Sequence, residues 1–229
     1  MQAPRVEIDL AKLTHNASAL AARYASKGID VVGVTKVVCG DPVVAAALVR
    51  AGIDTLADSR TANIERMRAA GVGAKFLLLR SPMASQAEAV VRCADISLNS
   101  EISVMRKLSA FAIKHHTSHK VILMTELGDL REGLLPSDLA STIGEVLELK
   151  GLELAGIGTN LACLGGISPS QANMGKLSCL ADELEQSLGL TFDVVSGGNS
   201  ANFTWFMSTK DVGRINSLRL GESIFLGRE

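Results

Sequence analysis

Apolar runs typical of buried β-strands alternate with helix-like stretches along the chain, and this alternation constrains the fold more than any other feature. The runs are separated by segments that carry helical spacing of apolar residues or helix-capping residues. Asp41 followed by Pro42 is the predicted start of one helix, and Ser100 is the predicted cap of another that runs to about residue 114. The predicted strands are at 31–34, 54–57, 75–79, 95–98, 120–125, 152–158, 192–195 and 217–220. An undivided strand–helix repeat of this kind predicts a closed parallel (β/α)8 barrel, with residues 1–229 as one domain.

An open, doubly wound parallel sheet is the alternative fold for the same pattern. Its signature, a G-x-G-x-x-G motif directly after the first strand, is missing. Gly156 and Gly158 come late in the chain, and Leu161 stands at the third glycine position. The alternating segment before the first helix, at 6–10, is predicted to be a short strand or lead-in.

The composition excludes several classes of protein. With 229 residues, 47% of them hydrophobic, the chain can form one large core. Its net charge is −1 and it has no basic tract, so nucleic acid is not an expected partner. No apolar run is long enough to cross a bilayer, and no signal peptide is recognisable. The scattered cysteines lack a C-x-x-C pair and predict reduced thiols in a cytoplasmic protein: Cys39, Cys93, Cys163 and Cys179.

A lysine stands at the end of the first apolar strand. Lys36, in IDVVGVTKVVCG, has apolar neighbours on both sides, where desolvation would disfavour its charged form. One interpretation is that it ends the strand and extends to solvent. The other is that it is an amine nucleophile, activated by desolvation, which forms a Schiff base with a carbonyl compound such as pyridoxal phosphate.

Polar residues follow the other strands, at the end where barrels carry their active sites. The segments after the seventh and eighth strands are the most specific, SGGNS at 196–200 and RLGES at 219–223. Backbone N–H groups beside two glycines can face an anion at the start of a helix. Loops at these positions commonly hold phosphate in barrels, although a glycine turn with a serine cap is the simpler interpretation.

A phosphate site and an amine on opposite sides of a barrel mouth together fit pyridoxal 5′-phosphate. Arg219 would then reach the pyridine nitrogen of the cofactor. Because arginine keeps its charge and only donates hydrogen bonds, that nitrogen would stay unprotonated, and the ring would be a weaker electron sink. Such a ring suits proton transfer at the α-carbon of an amino acid.

Six segments together resemble the alanine racemase superfamily, and most closely its ornithine and lysine racemase branch. They are VVGVTKVVCG, LADSRTANI, LGDLREG, GIGTNLACLGG, VSGGNSANF and LRLGESIFLGRE, and the resemblance covers nearly the whole chain. It implies a fold type III pyridoxal-phosphate enzyme, an amino-acid racemase whose N-terminal domain is the barrel. It also implies a small-molecule amino-acid substrate and a homodimer.

The resemblance implies roles for single residues. Lys36 would hold the cofactor and act as the base on one face of the substrate, and Arg131 would help to hold the cofactor's phenolic oxygen and the substrate. Arg219 matches the contact with the pyridine nitrogen. The implied cofactor-binding residues are Lys36, Asn160, Gly198, Asn199, Ser200, Arg219, Gly221 and Glu222. No metal site is expected.

Some positions depart from the pattern of alanine racemases. Asn160 stands where they have a histidine, Gly40 where they have a phosphate-binding tyrosine, and Met124 where they have a lysine. These departures argue against alanine as the substrate and leave ornithine or lysine as candidates. The family's C-terminal β-domain, which supplies a tyrosine as second base, is not among these 229 residues, so the chain is expected to be either the barrel domain of a longer enzyme or a single-domain member. Racemization with two bases is not expected from these residues alone. Tyr24 is predicted to pack on the first helix.

A second class of function stays open at this point. Single-barrel relatives of this size resemble pyridoxal-phosphate homeostasis proteins, which hold the cofactor on the same lysine without known turnover. They share a motif related to ADSRTAN, whereas VSGGNS and LRLGESIFLGRE favour the racemase branch.

Two further groups of residues have alternative interpretations. His115, His116 and His119 would suit either a metal site or, as we expect, the end of a helix, where positive charge is favourable. Glu126 and Asp129 are candidates to bind a basic substrate side chain, although both could instead pair with Arg131.

Overall fold

The computed structural model describes residues 4–162 and 166–227, so Cys163 and parts of two of the resembling segments lie outside the described residues. Within these residues the strands pair in sequence order into a closed barrel, and every neighbouring pair is parallel. The last strand pairs with the first and closes the ring. The predicted (β/α)8 barrel is confirmed.

The strands are β1 (Asp30–Val34), β2 (Thr55–Asp58), β3 (Lys75–Leu78), β4 (Ile96–Asn99), β5 (His119–Met124), β6 (Leu152–Gly158), β7 (Val194–Ser196) and β8 (Ser217–Leu220). The helices are α1 (Leu10–Ala25), α2 (Pro42–Arg50), α3 (Thr61–Ala69), α4 (Ala87–Cys93), α5 (Ile102–Lys114), α6 (Pro136–Leu147), α7 (Gln171–Leu188), α8 (Asn202–Ser208) and α9 (Glu222–Leu226). Short 3-10 turns occupy Lys36–Val38 and Ala84–Gln86.

Helix starts follow the local chemistry of the sequence. The carboxylate of Asp41 accepts hydrogen bonds from the backbone N–H groups of Val43 and Val44, at 2.9 and 3.1 Å, and Pro42 occupies the first helical position of α2. This confirms the predicted cap. Ser170 caps α7 in the same way by accepting from the N–H of Asn173.

The segment at 6–10 forms no strand and is instead the lead-in to α1, which begins at Leu10 and is capped by Asp9. One helix cap was predicted wrongly. Ser100 does not cap α5: Glu101 is the residue before that helix, and the hydroxyl of Ser100 lies 3.2 Å from that of Ser81. Helix α9 was not predicted.

The apolar core has two layers. Inside the barrel, a small cluster is formed by alternate residues of the strands, namely Val32, Val34, Ala57, Leu77, Leu98, Ile122, Met124 and Ala155. A larger cluster fills the space between the barrel and the helices. Because all the strands are parallel, their carboxyl ends meet at one face, where the loops can bring polar residues together. Among the described helices, none is both long and apolar enough to cross a membrane.

Candidate active site

The barrel has a cavity at each end. The cavity at the carboxyl ends of the strands measures about 280 Å³, and the one at the amino ends about 670 Å³. In the larger one, Lys120 lies 3.9 Å from the carboxylates of both Glu153 and Asp193. The smaller one holds an amine, two guanidinium groups and a serine on which backbone donors converge. We therefore identify the smaller cavity as the candidate active site.

The structure brings most of the predicted site residues together around this cavity. Its lining includes Lys36, Arg131, Asn160, Asn199, Ser200, Arg219, Gly221 and Glu222. Gly198 is not part of the lining, but its carbonyl accepts a hydrogen bond from the backbone N–H of Arg219 at 2.9 Å. Apolar residues that sequence reasoning did not single out form part of the wall: Val34, Leu79 and Leu98.

Lys36 begins a 3-10 turn that is separated from β1 by one residue, and it is exposed at the mouth of the cavity. Of the two interpretations of this lysine, the structure agrees with a side chain that extends to solvent and not with one buried among apolar residues, and its neighbour Val37 is also 66% exposed. The turn ends at Cys39 and Gly40, both with positive φ. A Cβ on Gly40 would lie only 2.7 Å from the Cβ of Asn63, so a tyrosine at this position would not fit without movement of α3.

A buried network fixes the residue before the lysine. The carboxylate of Asp58, at the end of β2, accepts hydrogen bonds from the hydroxyl of Thr35 at 2.9 Å and the amide of Asn63 at 2.8 Å. It also accepts from the backbone N–H of Arg60 at 3.1 Å. Thr35 and Asp58 are inaccessible to solvent. Asp58 thus connects the turn that carries Lys36 to the start of α3. The sequence shows a polar residue at the end of this strand but does not indicate this role.

Hydrogen-bond donors converge on Ser200. Its Oγ accepts from the backbone N–H groups of Gly221 and Ser223, at 3.4 and 3.2 Å, and lies 3.1 Å from the Oγ of Ser223. Glu222 lies between these two donors in the chain. Ser223 was missed as a site residue, although the RLGES segment contains it. This cluster of donors suits an anion, because two hydroxyl groups and two backbone N–H groups face one point.

Arg219 lies almost fully buried in β8, with 4% of its surface exposed. Its Nη2 donates to the carbonyl of Thr159 at 2.8 Å, and its Nη1 donates to the hydroxyl of Ser196. Burial lowers the pKa of Arg219 to about 10, an effect that the negative charge of Glu132 opposes. The guanidinium therefore keeps its charge at neutral pH and is held in one orientation.

The loop between β5 and α6 carries Arg131 and Glu132. It is anchored at its base, because the N–H of Leu134 donates to the carbonyl of Met124 at 2.7 Å and the carbonyl of Leu134 accepts from Glu126 at 2.9 Å. The closest side-chain atoms of the two charged residues, Arg131 Nη2 and Glu132 Oε1, are 3.6 Å apart. Glu132 lines the cavity, and this was not predicted.

The two asparagines of the lining contact each other. The amide nitrogen of Asn199 donates to the Oδ1 of Asn160 at 3.1 Å and to the carbonyl of Leu161 at 2.8 Å. Its Oδ1 accepts from the N–H of Ala201 at 2.9 Å. These contacts join the loops after β6 and β7, so Asn199 holds Asn160 in the wall of the cavity.

The remaining predictions concern residues away from this cavity. His115 follows α5 and lies 2.9 Å from the carboxylate of Glu88, as expected for a helix end. The same expectation is wrong for His119, which is buried on β5 with its Nε2 2.8 Å from the hydroxyl of Ser97. Tyr24 packs against Phe206 with ring centroids 4.4 Å apart, as predicted. In the part of the chain that the structure describes, no three potential ligands are grouped to hold a metal ion.

The sequence is similar to proteins of known activity. Residues 8–229 match the family model described as the N-terminal domain of alanine racemase. The chain is 37% identical over 227 residues to ornithine racemase from Acetoanaerobium sticklandii, and 36% identical over 226 residues to lysine racemase from Thermotoga maritima. Each alignment covers 99% of this chain, but only 64% and 63% of the respective relative.

Solved structures share the fold. An alanine racemase from Clostridium difficile 630 in complex with cycloserine matches with a TM-score of 0.78 and 22% identity, over 94% of this chain and 58% of that one. PipY from Synechococcus elongatus, in a structure without PLP, matches with a TM-score of 0.77 and 16% identity. This match covers 93% of the chain described here and 99% of PipY.

Proposed function

Because the chain belongs to the family of alanine racemase N-terminal domains, we propose that it is the cofactor-binding barrel of a pyridoxal-phosphate-dependent amino-acid racemase. The observation that carries the proposal is the arrangement around one cavity of an amine, a cluster of anion donors and a buried arginine. The proposal includes a homodimer as the assembly, which sedimentation analysis of the purified chain would test.

The donor set of the cavity fits pyridoxal phosphate. The hydroxyls of Ser200 and Ser223 and the N–H groups of Gly221 and Ser223 suit a phosphate, because these four donors converge on one point. The long hydrogen bonds to Ser200, at 3.2 and 3.4 Å, are ones that an anionic acceptor can replace. Arg219 suits a ring nitrogen that accepts a hydrogen bond, and Lys36 suits the aldehyde.

When bound, pyridoxal phosphate acidifies the Cα–H bond of an amino acid joined to its aldehyde carbon. The amine of Lys36 is proposed to take the proton from the α-carbon and return it on one face of the substrate. Arg131, on the anchored β5–α6 loop, is proposed to bind the substrate's carboxylate and the phenolic oxygen. Arg219 donates a hydrogen bond without giving up its proton, because its pKa of about 10 lies well above neutral pH.

The names of the two relatives support basic amino acids as substrates. Ornithine racemase and lysine racemase both align with 99% of the chain. Ornithine and lysine are therefore the first substrates to test, with alanine as the comparison.

The test begins with the cofactor. The full chain is incubated with pyridoxal phosphate, reduced with borohydride and mapped by peptide mass spectrometry. We expect a covalent label at Lys36 in the wild type, none there in Lys36→Ala, and an unchanged label in Lys12→Ala, which alters an exposed lysine on α1. Absence of the label at Lys36 would contradict the proposed cofactor site.

The second step tests the reaction. Exchange of the α-proton of L-ornithine in D2O, followed by NMR, measures proton transfer on one face, and chiral chromatography measures inversion. We expect exchange with the loaded wild type and none with Lys36→Ala. A protein labelled at Lys36 that catalyses neither exchange nor inversion would instead support a protein that only holds the cofactor.

A further inference from the structure

The cavity contains more cationic than acidic side chains. Its positive groups are Lys36, Arg131 and Arg219, and its carboxylates are Glu132 and Glu222. Glu222 is exposed, whereas the side chain of Glu132 is 18% exposed. Arg131 suits the α-carboxylate of an amino acid. A second ammonium group on the substrate would need a partly buried carboxylate, because water screens an exposed ion pair.

The two acidic residues predicted for this role do not line the cavity. The carboxylate of Glu126 accepts a hydrogen bond from the backbone N–H of Gly128 and so holds its own loop. Asp129 is 2% exposed and lies outside the cavity lining. Of the acidic residues in the β5–α6 loop, Glu132 is the one that faces the cavity.

Glu132 is held on a fixed piece of backbone. The next residue, Gly133, has a φ of +130°, and a Cβ on it would lie 2.6 Å from the backbone nitrogen of Glu126. Leu134, one residue further, forms a parallel bridge with Thr125 at the end of β5. The carboxylate is therefore presented to the cavity by the edge of the barrel rather than by a loose loop tip.

The ion pair with Arg131 does not use the full capacity of the carboxylate. A carboxylate has about four acceptor positions, and an N–O distance of 3.6 Å is too long for a hydrogen bond. Glu132 also opposes the effect of burial on Arg219. It can thus balance the cationic wall and still accept hydrogen bonds from an ammonium group.

We propose that Glu132 binds the side-chain ammonium of a diamino acid and so gives the site its preference for basic substrates. This inference rests on the proposed function. It assigns the two charged ends of the substrate to neighbouring residues of one loop, the α-carboxylate to Arg131 and the ω-ammonium to Glu132.

The test compares two ligands that differ only in the distal amine, L-ornithine and L-norvaline. Their dissociation constants for the cofactor-loaded protein are measured from the change in cofactor absorbance. In Glu132→Gln, which keeps the shape and removes the charge, we expect ornithine to bind about 10- to 100-fold more weakly, as for loss of a charge-assisted hydrogen bond. The affinity for norvaline should change less than about 3-fold. Glu148→Gln, an exposed change directly after α6, controls for the loss of one charge.

Three results would overturn the inference. A Glu132→Gln protein that keeps the ornithine preference excludes the carboxylate as the recognition group. An equal loss of affinity for both ligands assigns Glu132 to the ordering of the two arginines instead. The third result is a wild type without a borohydride label at Lys36, which overturns both the proposed function and this inference. If the wild type is labelled, the first two results contradict this inference alone.

Discussion

Removing the carboxylate of Asp58 is expected to destabilise the barrel and to loosen the turn that carries Lys36. Asp58 is inaccessible to solvent and accepts hydrogen bonds from Thr35, Asn63 and the backbone of Arg60. In Asp58→Ala the amide of Asn63 and the N–H of Arg60 lose their acceptor, whereas the hydroxyl of Thr35 keeps only the carbonyl of Ala57, at 3.3 Å. Each unsatisfied buried donor costs about 1–3 kcal/mol.

The expected total is about 3–5 kcal/mol, since water entering the vacated space satisfies part of the lost hydrogen bonding. For a chain of this size, 1 kcal/mol corresponds to about 2–4 °C in the midpoint of thermal unfolding. A loss of about 10 °C is therefore expected. Asp58→Asn keeps one acceptor oxygen and should lose less.

Thermal unfolding followed by circular dichroism measures the first effect, and borohydride labelling of Lys36 measures the second. Asp54→Ala is the matched control, because Asp54 directly precedes the same strand and is exposed. It should unfold within about 1 °C of the wild type. An Asp58→Ala protein as stable as this control would refute the assigned role of the network, and normal labelling would refute its role in placing the lysine.

Three further changes test other parts of the structure. Burial lowers the pKa of His119 to about 4 from an ordinary 6.5, so the unfolded chain binds a proton first as the pH falls. The free energy of unfolding should therefore fall by about 3 kcal/mol between pH 6.5 and 4, as measured by denaturant titration. We expect a smaller fall in His119→Gln, and an equal fall in the two proteins would contradict the assignment to His119. Gly40→Ala should cost about 2–3 kcal/mol, because of its φ of +63° and the contact with Asn63, whereas Gly144→Ala on open helix surface should stabilise by about 1 kcal/mol. Ser200→Ala should weaken pyridoxal phosphate about 10-fold in an absorbance titration, and an unchanged affinity would argue against the phosphate site.

The barrel was predictable because its elements carry local signals. The bounds of β6 and β8 agree with the predicted ones, and Asp41 with Pro42 marks the start of α2. The seventh strand begins at Val194, two residues later than predicted. The reason is that the N–H of Phe192 donates to Glu185 at 2.6 Å, outside the sheet, so this apolar residue serves packing rather than strand pairing.

The sequence predicted most of the residues that line the candidate site, but not the contacts between them. Lys36, Ser200 and Arg219 are marked by residue type and by their place after a strand. Which side chain of a loop faces a cavity depends instead on backbone reversals. In the β5–α6 loop, the positive φ values of Gly128 and Gly133 place Glu132 in the lining, and no local pattern predicts this.

The pairing of β1 with β8 would link the proposed binding of the cofactor to the order of synthesis. Val32 of the first strand pairs with Arg219 of the last, so the lysine and the arginine of one site come from opposite ends of the barrel sequence. On the ribosome, Lys36 emerges long before Arg219 and Ser223 exist to accompany it. A nascent or truncated chain can present the amine but not the groups that are proposed to hold the rest of the cofactor. Stable uptake of pyridoxal phosphate would therefore report that translation has passed β8 and that the ring has closed.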